Sequence, residues 1–225
     1  MTPYLQQRTL FPPQIRAKPS LNLGMVVVIP AHDEAYLLLS LMSLKKCQRP
    51  KCDVEVIVVV NGSDTNTPEI KKRNFEIVQQ AEEWARKKRP SGMRFFILHH
   101  PDLNPKHAGV GLARKIGMDE ACWRLERVGN PQGLIVCFDA DSRCTADYLI
   151  SIEAHFQQNP RSPACSIYFE HPLCGADFDD KVYQAITLYE LHLRYYIHAQ
   201  RFAGFPLAYQ TIGSSMAVRC NAYHK

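Results

Sequence analysis

The chain has 225 residues, a length that suits one α/β domain or one and a half. Its hydrophobic content of 46% and aromatic content of 10% exclude an intrinsically disordered chain. The formal net charge of +5 is compatible with an anionic ligand but far from the strongly basic signature of nucleic-acid-binding proteins, so no nucleic-acid partner is predicted.

The cysteines carry no metal or disulfide signature. No C-x₂-C spacing occurs among them, and their scatter argues against a zinc site or a disulfide framework. Residues 1–4 lack the basic region and the apolar core of a secretory signal, and all apolar runs fall well short of about 18 residues. We therefore predict reduced thiols, a cytoplasmic location and no membrane-spanning helix.

The first part of the chain is predicted to form an arm, a strand and a helix. Residues 1–23 are polar and interrupted by prolines, which indicates an N-terminal arm. The apolar run over 25–30 indicates a buried strand that ends at its proline. Asp33 is then predicted to cap a helix that carries the apolar residues of 36–44.

Two further strands and a long helix follow. Residues 54–60 are β-branched apart from Glu55 and predict a strand that ends in the turn Asn61-Gly62-Ser63-Asp64. Turns of this composition supply φ > 0 positions and exposed backbone N–H groups. A polar stretch with an apolar stripe predicts a helix over about 68–88, and the run over 93–98 predicts the third strand.

The central part of the chain carries a helix start with glycines and a pair of aspartates. Residues 108–114 begin a predicted helix that continues to about Arg127. The apolar run 134–138 predicts a fourth strand, buried on both faces, and Asp139-Ala140-Asp141 follows it directly. The remaining predicted elements are a helix over 146–158, a strand over 164–169, a long helix over 178–202 and a short strand over 214–219.

Strands that alternate with helices, each strand an unbroken apolar run, predict an α/β fold with a parallel sheet and helices on both faces. In such sheets ligands bind outside the carboxyl ends of the strands. Segments 30–34, 61–64, 109–117 and 139–141 follow the first four predicted strands. They are therefore expected to lie together at one edge of the sheet.

The aspartates of the Asp139-Ala140-Asp141 segment can be interpreted in two ways. Two neighbouring carboxylates are costly to hold together unless a cation neutralises them. Mg²⁺ prefers oxygen ligands and is commonly held by one or two carboxylates together with substrate phosphates. An isolated Asp-x-Asp is nevertheless more often a loop in which Asp141 or Ser142 caps the next helix. The metal site is favoured here because polar segments also follow the other predicted strands.

Four segments, in this order, resemble the motifs of family 2 glycosyltransferases with the GT-A fold. They are Pro30-Ala31-His32-Asp33-Glu34, Asn61-Gly62-Ser63-Asp64, Gly109-Val110-Gly111-Leu112-Ala113-Arg114-Lys115-Ile116-Gly117 and Asp139-Ala140-Asp141. The resemblance implies a GT-A (Rossmann-like) α/β/α sandwich with a mostly parallel central sheet, occupying residues 24–225 after the arm.

The resemblance also implies an enzyme. It would be a metal-dependent glycosyltransferase that moves a sugar, with inversion, from a nucleotide-diphosphate donor to a hydroxyl of a glycan or lipid-linked acceptor, and UDP-sugars are the family's most common donors. Carried over by motif, the donor-binding residues would be Pro30, Ala31, Glu34, Asn61, Gly109, Arg114 and Asp139. Asp141 would bind Mn²⁺ or Mg²⁺ directly, with Asp139 near the metal and the ribose, so these two are the predicted catalytic carboxylates. Gly109 and Gly111 could instead serve helix–sheet packing.

The chain departs from the family pattern at several positions. Val60 stands where many relatives have an aspartate, and Asp33 and Lys115 stand where asparagine is usual, which leaves the identity of the base open. The family's catalytic base lies downstream of a segment like 213–219, so we expect the chain to be truncated on its acceptor side. Within the chain the candidate bases are Glu170, Asp177, Asp179 and Asp180.

Two other features concern the acceptor. His171 follows the fifth strand at the edge where an acceptor would enter. The tyrosine-rich helix over 178–202 is interpreted as a core-packing helix, with peripheral membrane contact or binding of a lipid-linked acceptor as the alternative. A non-catalytic nucleotide-sugar binding module is the alternative function, because the base is missing. A sugar nucleotidyltransferase is a further one, although no Gly-rich loop follows the first strand.

Overall fold

A central sheet organises the chain, and its strands are as follows: β1 Leu23–Ala31, β2 Asp53–Ser63, β3 Met93–Leu103, β4 Leu134–Cys137, β5 Ala164–Ser166 and β6 Met216–Arg219. The computed structural model describes residues 2–87 and 91–224. The strand order is β3-β2-β1-β4-β6-β5, and the pairings β1–β2, β1–β4 and β2–β3 are parallel. The predicted α/β fold with a mostly parallel sheet is confirmed.

The helices are α1 Pro3–Gln7, α2 Leu37–Lys46, α3 Pro68–Lys87, α4 Val110–Arg127, α5 Tyr148–Gln158, α6 Asp180–Phe202 and α7 Cys220–Tyr223. The predicted end of α3 at Lys88, and the terminal residues Met1 and Lys225, lie outside the described residues. Over the described parts of the chain, no helix combines the length and the apolar character needed to cross a membrane. The chain divides into two units, Met1–Cys165 with Ala217–Lys225 and Ser166–Met216.

The core of the first unit lies on β1 and β2. Residues 25–29 of β1 and 56–60 of β2 are fully buried, because each strand is an unbroken apolar run with covered faces. β2 continues through the first three residues of the predicted turn to Ser63, which pairs with Leu103 of an equally extended β3. Gly62 permits this pairing, since a Cβ there would lie 2.9 Å from the carbonyl oxygen of Pro101.

Helix α4 packs directly on the sheet at Gly117. A methyl group at this position would overlap Val28 Cγ1 and lie 3.2 Å from Val59 Cγ2. We expect Gly117→Ala to lower the free energy of unfolding by about 1–2 kcal/mol, because overpacking outweighs the gain in helix propensity. Urea denaturation of the two proteins measures the difference.

Gly111→Ala is the matched control for Gly117→Ala, since both glycines lie in α4. Among the described residues, nothing lies within 4 Å of a Cβ built at Gly111. We expect this variant to be as stable as the parent protein or slightly more stable. Equal losses in the two variants would show that the tight contact at Gly117 is not the cause.

The N-terminal arm packs on α4 through two buried carboxylates. Asp119 accepts hydrogen bonds from the Tyr4 hydroxyl at 2.8 Å and from the Lys115 ammonium at 2.9 Å. Glu120 accepts from the backbone N–H groups of Gln14 at 2.8 Å and Ile15 at 3.2 Å. The predicted N-terminal arm is thus bound to α4, and Lys115 also contacts the arm through the Tyr4 hydroxyl.

The second unit, Ser166–Met216, contains α6. β5 ends at Ser166, earlier than the predicted 169, and α6 begins at Asp180, where Asp179 accepts a hydrogen bond from the backbone N–H of Lys181. Within the described residues of α6, the buried side chains are Tyr183 and Glu190. Large apolar side chains of α6 are exposed: Val182, Leu188, Tyr189, Leu191, Tyr195, Tyr196 and Phe202. The interpretation of this segment as a core-packing helix is therefore wrong.

A buried carboxylate in α6 binds the loop that contains His171. Glu190 accepts hydrogen bonds from the backbone N–H of His171 at 3.0 Å and contacts its Nδ1 at 2.5 Å. The Arg194 guanidinium also donates to Glu190. His171 is therefore held by a structural carboxylate within this unit.

Candidate functional site

The register of the sheet brings three of the predicted segments to one edge. Ala31 of β1 is paired with Val60 of β2, so that Asn61 lies next to the end of β1. On the other side, Val28 is paired with Cys137, and the backbone N–H of Phe138 donates to the Val28 carbonyl at 3.0 Å. Asp139 follows at this edge. The prediction of convergent strand ends is therefore confirmed for β1, β2 and β4.

An ion pair joins two predicted site residues from different elements. Arg114 of α4 donates through Nη2 to Oδ1 of Asp139 at 2.8 Å. The arginine side chain is 16% exposed and that of Asp139 is 35% exposed, so the pair lies at the surface of the edge. The Nε of Arg114 is buried and, among the described residues, has no hydrogen-bond partner. Arg114 therefore has an unused donor beside a half-buried carboxylate.

Asp141 is exposed on a turn whose backbone is held by α2. The Ser40 hydroxyl lies 2.6 Å from the carbonyl oxygens of both Ala140 and Ser142, on either side of Asp141. Within residues 2–87 and 91–224, the Asp141 carboxylate makes no hydrogen bond or ion pair. Helix α5 begins only at Tyr148, with Asp147 as its N-cap, so Asp141 and Ser142 do not cap it.

The aspartate donors fit a hard divalent cation. Asp141 offers a carboxylate that has no partner in the described part of the chain, and Asp139 offers the oxygen that Arg114 leaves free. Both are oxygen ligands, and a site with one or two carboxylates is what Mg²⁺ uses when substrate phosphates complete its coordination. The donor set is therefore compatible with the predicted Mn²⁺ or Mg²⁺.

A cleft of about 340 Å³ opens beside the ends of β1 and β2 and the start of α4. It is lined by His32, Asn61, Gly62, Ser63, Asn66, Ala108, Gly109 and Val110. Asn61 Nδ2 lies 3.5 Å from the carbonyl oxygen of Gly109, which links the second and third predicted segments. The buried Asn61 backbone carbonyl also contacts Nδ1 of His32 at 2.8 Å. The cleft has the polar edges and the size that suit a small ligand.

His32 and Asn66 line this cleft although they were not among the predicted site residues. His32 lies inside the first polar segment, and its Nε2 is 3.4 Å from Asn66 Nδ2. The signal for His32 was present in the segment itself, since it stands between two residues of the motif. Asn66 lies beyond the second segment and carries no signal in the sequence.

The first predicted segment divides into buried and exposed parts. Ala31 is 4% exposed and Pro30 is also buried, because both belong to β1. Glu34 is half-buried and accepts a hydrogen bond from the backbone N–H of Tyr36 at 2.9 Å. The cleft at Asn61 is not lined by Pro30, Ala31 or Glu34.

Asp33 does not cap the helix that follows it, contrary to the prediction. Helix α2 begins at Leu37 with Tyr36 as its N-cap. Asp33 instead has a φ of 53°, in the left-handed region that asparagine and aspartate tolerate. Its carboxylate accepts two hydrogen bonds from Arg73 at 2.5 and 2.7 Å, and its N–H donates to Asn74 Oδ1 at 2.7 Å.

The ion pair between Asp33 and Arg73 should make the stability of the protein depend on pH. Hydrogen bonding to Arg73 holds the pKa of Asp33 below its ordinary value, so the pair's contribution to stability is present above the ordinary pKa and is lost as pH falls. We expect Arg73→Ala to raise the pKa of Asp33, as measured by NMR titration of its carboxylate. Arg86→Ala, another exposed arginine of α3, is the control and leaves that pKa unchanged. An unaltered titration in Arg73→Ala would contradict the pairing.

The glycines at the start of α4 do not serve helix–sheet packing. Gly109 is the N-cap of α4, in an extended conformation, and both Gly109 and Gly111 are exposed. Among the described residues, nothing lies within 4 Å of a Cβ built at either glycine. The glycine of this segment that packs on the sheet is Gly117. The start of α4 at Gly109 is therefore open to solvent and to a ligand.

The profile described as Glycosyl transferase family 2 matches residues 26–224. A comparison with curated protein sequences finds no match.

Solved structures of S. aureus TarS are similar to part of the chain. TarS 1–349 matches with 20% identity and a TM-score of 0.48, over 70% of this chain and 38% of that chain. The same fragment in complex with UDP-GlcNAc has 19% identity and a TM-score of 0.44, over 69% and 37%. In complex with UDP it has 18% identity and a TM-score of 0.45, over 69% and 38%. The chain thus spans less than two fifths of the TarS fragment.

Proposed function

The chain belongs to glycosyl transferase family 2, and from this membership we propose that it transfers a sugar from a nucleotide-diphosphate donor to an acceptor hydroxyl with inversion. The family resemblance drawn from the four sequence segments is thereby confirmed. A UDP-sugar is the first donor to test, because uridine is the most common base in the family. A glycan or a lipid-linked sugar is the proposed acceptor.

One observation carries the proposal: residues from three separate segments meet at one edge of the sheet. Asn61 contacts Gly109 at the start of α4, and Arg114, on the next turns of the same helix, binds Asp139. Asp141 stands exposed beside them. A polar cleft, a guanidinium and two carboxylates at the carboxyl ends of parallel strands are the groups needed to bind a nucleoside, a phosphate and a metal.

The donor's parts are assigned to the chain's groups by chemistry. The nucleoside would occupy the cleft at Asn61 and His32, where amide, imidazole and backbone groups can satisfy a base and ribose hydroxyls. The diphosphate would lie near Gly109 and Arg114, whose unpartnered Nε can donate to a phosphate oxygen. Pro30, Ala31 and Glu34, which the family motif would assign to the nucleoside, do not line this cleft, so their roles rest on the motif alone.

Asp141, with Asp139 beside it, would hold Mn²⁺ or Mg²⁺. When bound, such an ion supplies charge stabilisation at the departing nucleotide, worth several kcal/mol. Arg114 orients the Asp139 carboxylate through their 2.8 Å contact. Ser40 keeps the turn around Asp141 in one conformation.

The catalytic base is not assigned to a residue of this chain. Among the earlier candidates, Asp179 is the N-cap of α6, and Glu170 accepts a hydrogen bond from the Tyr168 hydroxyl at 2.8 Å. These two carboxylates already have local partners. Asp177 and Asp180 are exposed and remain candidates for mutation.

Calorimetric titration with UDP and Mn²⁺, together with an assay for hydrolysis of UDP-sugars, tests the proposal. Metal-dependent binding with release of UDP from a donor supports a transferase. Binding without turnover supports the alternative, a nucleotide-sugar binding module that lacks its base. Release of pyrophosphate from UTP and a sugar 1-phosphate would instead support a nucleotidyltransferase, and absence of any nucleotide binding would overturn the proposal.

A further inference from the structure

A cluster of two thiols and one imidazole lies in the first unit, built from α4 and α7 and separate from the aspartates. Cys122, Cys220 and His224 each place one ligand atom so that all three atoms lie within 4.8 Å of one another. Cys220 Sγ is 3.6 Å from Nε2 of His224. No sequence motif predicts this cluster, because no C-x₂-C spacing is present. The scatter of the cysteines was therefore not sufficient to argue against a metal site.

Local structure explains how the three side chains meet. Cys220 and His224 are four residues apart at the two ends of α7, so they lie on one face of it. The backbone N–H of Cys220 donates to the Gly133 carbonyl at 2.9 Å, and that of Asn221 to the Pro131 carbonyl at 2.9 Å. These bonds fix the start of α7 against the end of the loop that precedes β4. Cys122 faces it from α4.

The surroundings of the cluster resemble those of the ligands in known metal sites. The two cysteines are fully buried, and the His224 side chain is 9% exposed. The imidazole stacks on the ring of Tyr4, with centroids 4.9 Å apart and an angle of 12° between the planes. Its Nδ1 lies 4.0 Å from Oε1 of Glu126, so a carboxylate lies behind the ring on the side away from Cys220. A carboxylate placed behind a ligating histidine is the common arrangement at zinc sites.

From these contacts we propose that Cys122, Cys220 and His224 form a binding site for Zn²⁺. Two thiolates and an imidazole are the soft and borderline ligands that Zn²⁺ accepts, unlike the oxygen donors of the aspartate edge. On binding, each thiol releases its proton, and the two thiolate charges balance the charge of the ion, so the buried complex is neutral. Water takes the fourth position. The ion would join α4 to α7 and would stabilise that contact.

The site does not depend on the proposed transferase activity. Cys122 lies on a different part of α4 from Arg114, and Cys220 and His224 lie at the two ends of α7. Among the described residues, none of the three contacts a group assigned to the donor. Failure of sugar transfer would therefore leave the site intact, and failure of zinc binding would leave the donor site intact.

Titration of the reduced, chelator-treated full chain with Co²⁺, followed by displacement with Zn²⁺, tests the proposal. We expect one equivalent of Co²⁺ to bind with thiolate-to-metal charge-transfer absorption, and Zn²⁺ to remove that absorption and raise the midpoint of thermal unfolding. Cys122→Ser and His224→Gln should each lose the absorption. Cys174→Ser removes an exposed thiol of the second unit and is the matched control.

Glu126→Gln tests the carboxylate behind the imidazole. We expect this variant to retain the charge-transfer absorption and to bind Co²⁺ with an affinity about 10–100-fold lower than that of the parent protein. Should Cys122→Ser fail to fold, His224→Gln and the Co²⁺ titration of the unmutated chain give the same information, because neither depends on that variant. The proposal is overturned if no charge-transfer absorption develops, if both ligand variants bind as the parent does, or if mass spectrometry finds the two cysteines joined as a disulfide under the reducing conditions used.

Discussion

Replacement of Asp141 with alanine is expected to abolish the metal-dependent part of UDP binding while the fold survives. Asp141 is exposed, and within the described residues its carboxylate has no partner, so its removal costs no contact in the free protein. We expect the free energy of unfolding to change by less than about 0.5 kcal/mol. The loss of a direct metal ligand should weaken UDP binding in the presence of Mn²⁺ by about a hundredfold or more, since the metal contributes several kcal/mol.

Calorimetry with and without Mn²⁺ measures this effect. Asp147→Ala is the matched control, because Asp147 is an exposed carboxylate on the same segment, at the N-cap position of α5, and accepts a hydrogen bond from the Ser151 hydroxyl at 3.3 Å. It should leave UDP affinity unchanged and reduce stability slightly. If Asp141→Ala binds UDP with Mn²⁺ as tightly as the parent, the metal has no place in the proposed site.

The buried ion pair between Glu55 and Arg124 is where a single change should cost the most stability. Their side chains are 1% and 2% exposed, and Arg124 Nη2 donates to Oε1 of Glu55 at 2.8 Å. Arg124 also donates to the Ala17 carbonyl at 3.0 Å and lies over the ring of Phe96 at 4.7 Å. We expect Arg124→Met to lower the free energy of unfolding by about 3–5 kcal/mol, because it leaves a buried carboxylate without its main partner.

Guanidinium chloride denaturation measures the loss, with two further variants to separate the causes. Arg94→Met removes the other guanidinium that binds Glu55, but Arg94 is 40% exposed, so its loss should be smaller. Adding Glu55→Gln to Arg124→Met should restore part of the stability, because the unpaired charge is then gone. A loss of less than about 1 kcal/mol in Arg124→Met would show that the pair adds little to the fold.

The sequence was informative where a property is repeated along a segment. The buried runs of β1 and β4 identify the strands, and their alternation with helices identifies the α/β fold, because periodicity survives without knowledge of tertiary contacts. The same runs predicted that Asn61 and Asp139 lie at one edge, which the strand register confirms. Arg114 and Asp139, predicted separately as site residues, form an ion pair.

Features that depend on a single tertiary contact could not be predicted. Asp33 has the composition of a helix cap, but Arg73, distant in the chain, determines its position. Strand β2 continues through a turn-like sequence because β3 is available to pair with Ser63. The tyrosine-rich segment has the composition of a packed helix, yet most of its large side chains are exposed. In the first two cases a distant partner overrides local preference.

The contact between the arm and α4 has a consequence for the choice of expression boundaries. A fragment that starts at residue 24, the first residue of the domain predicted from sequence, would lack Tyr4, Gln14 and Ala17. Asp119, Glu120 and Arg124 would then lose hydrogen-bond partners at positions where water has little access. Residues 4–17 are therefore part of the packing around α4, and shortened versions intended for crystallisation should retain them.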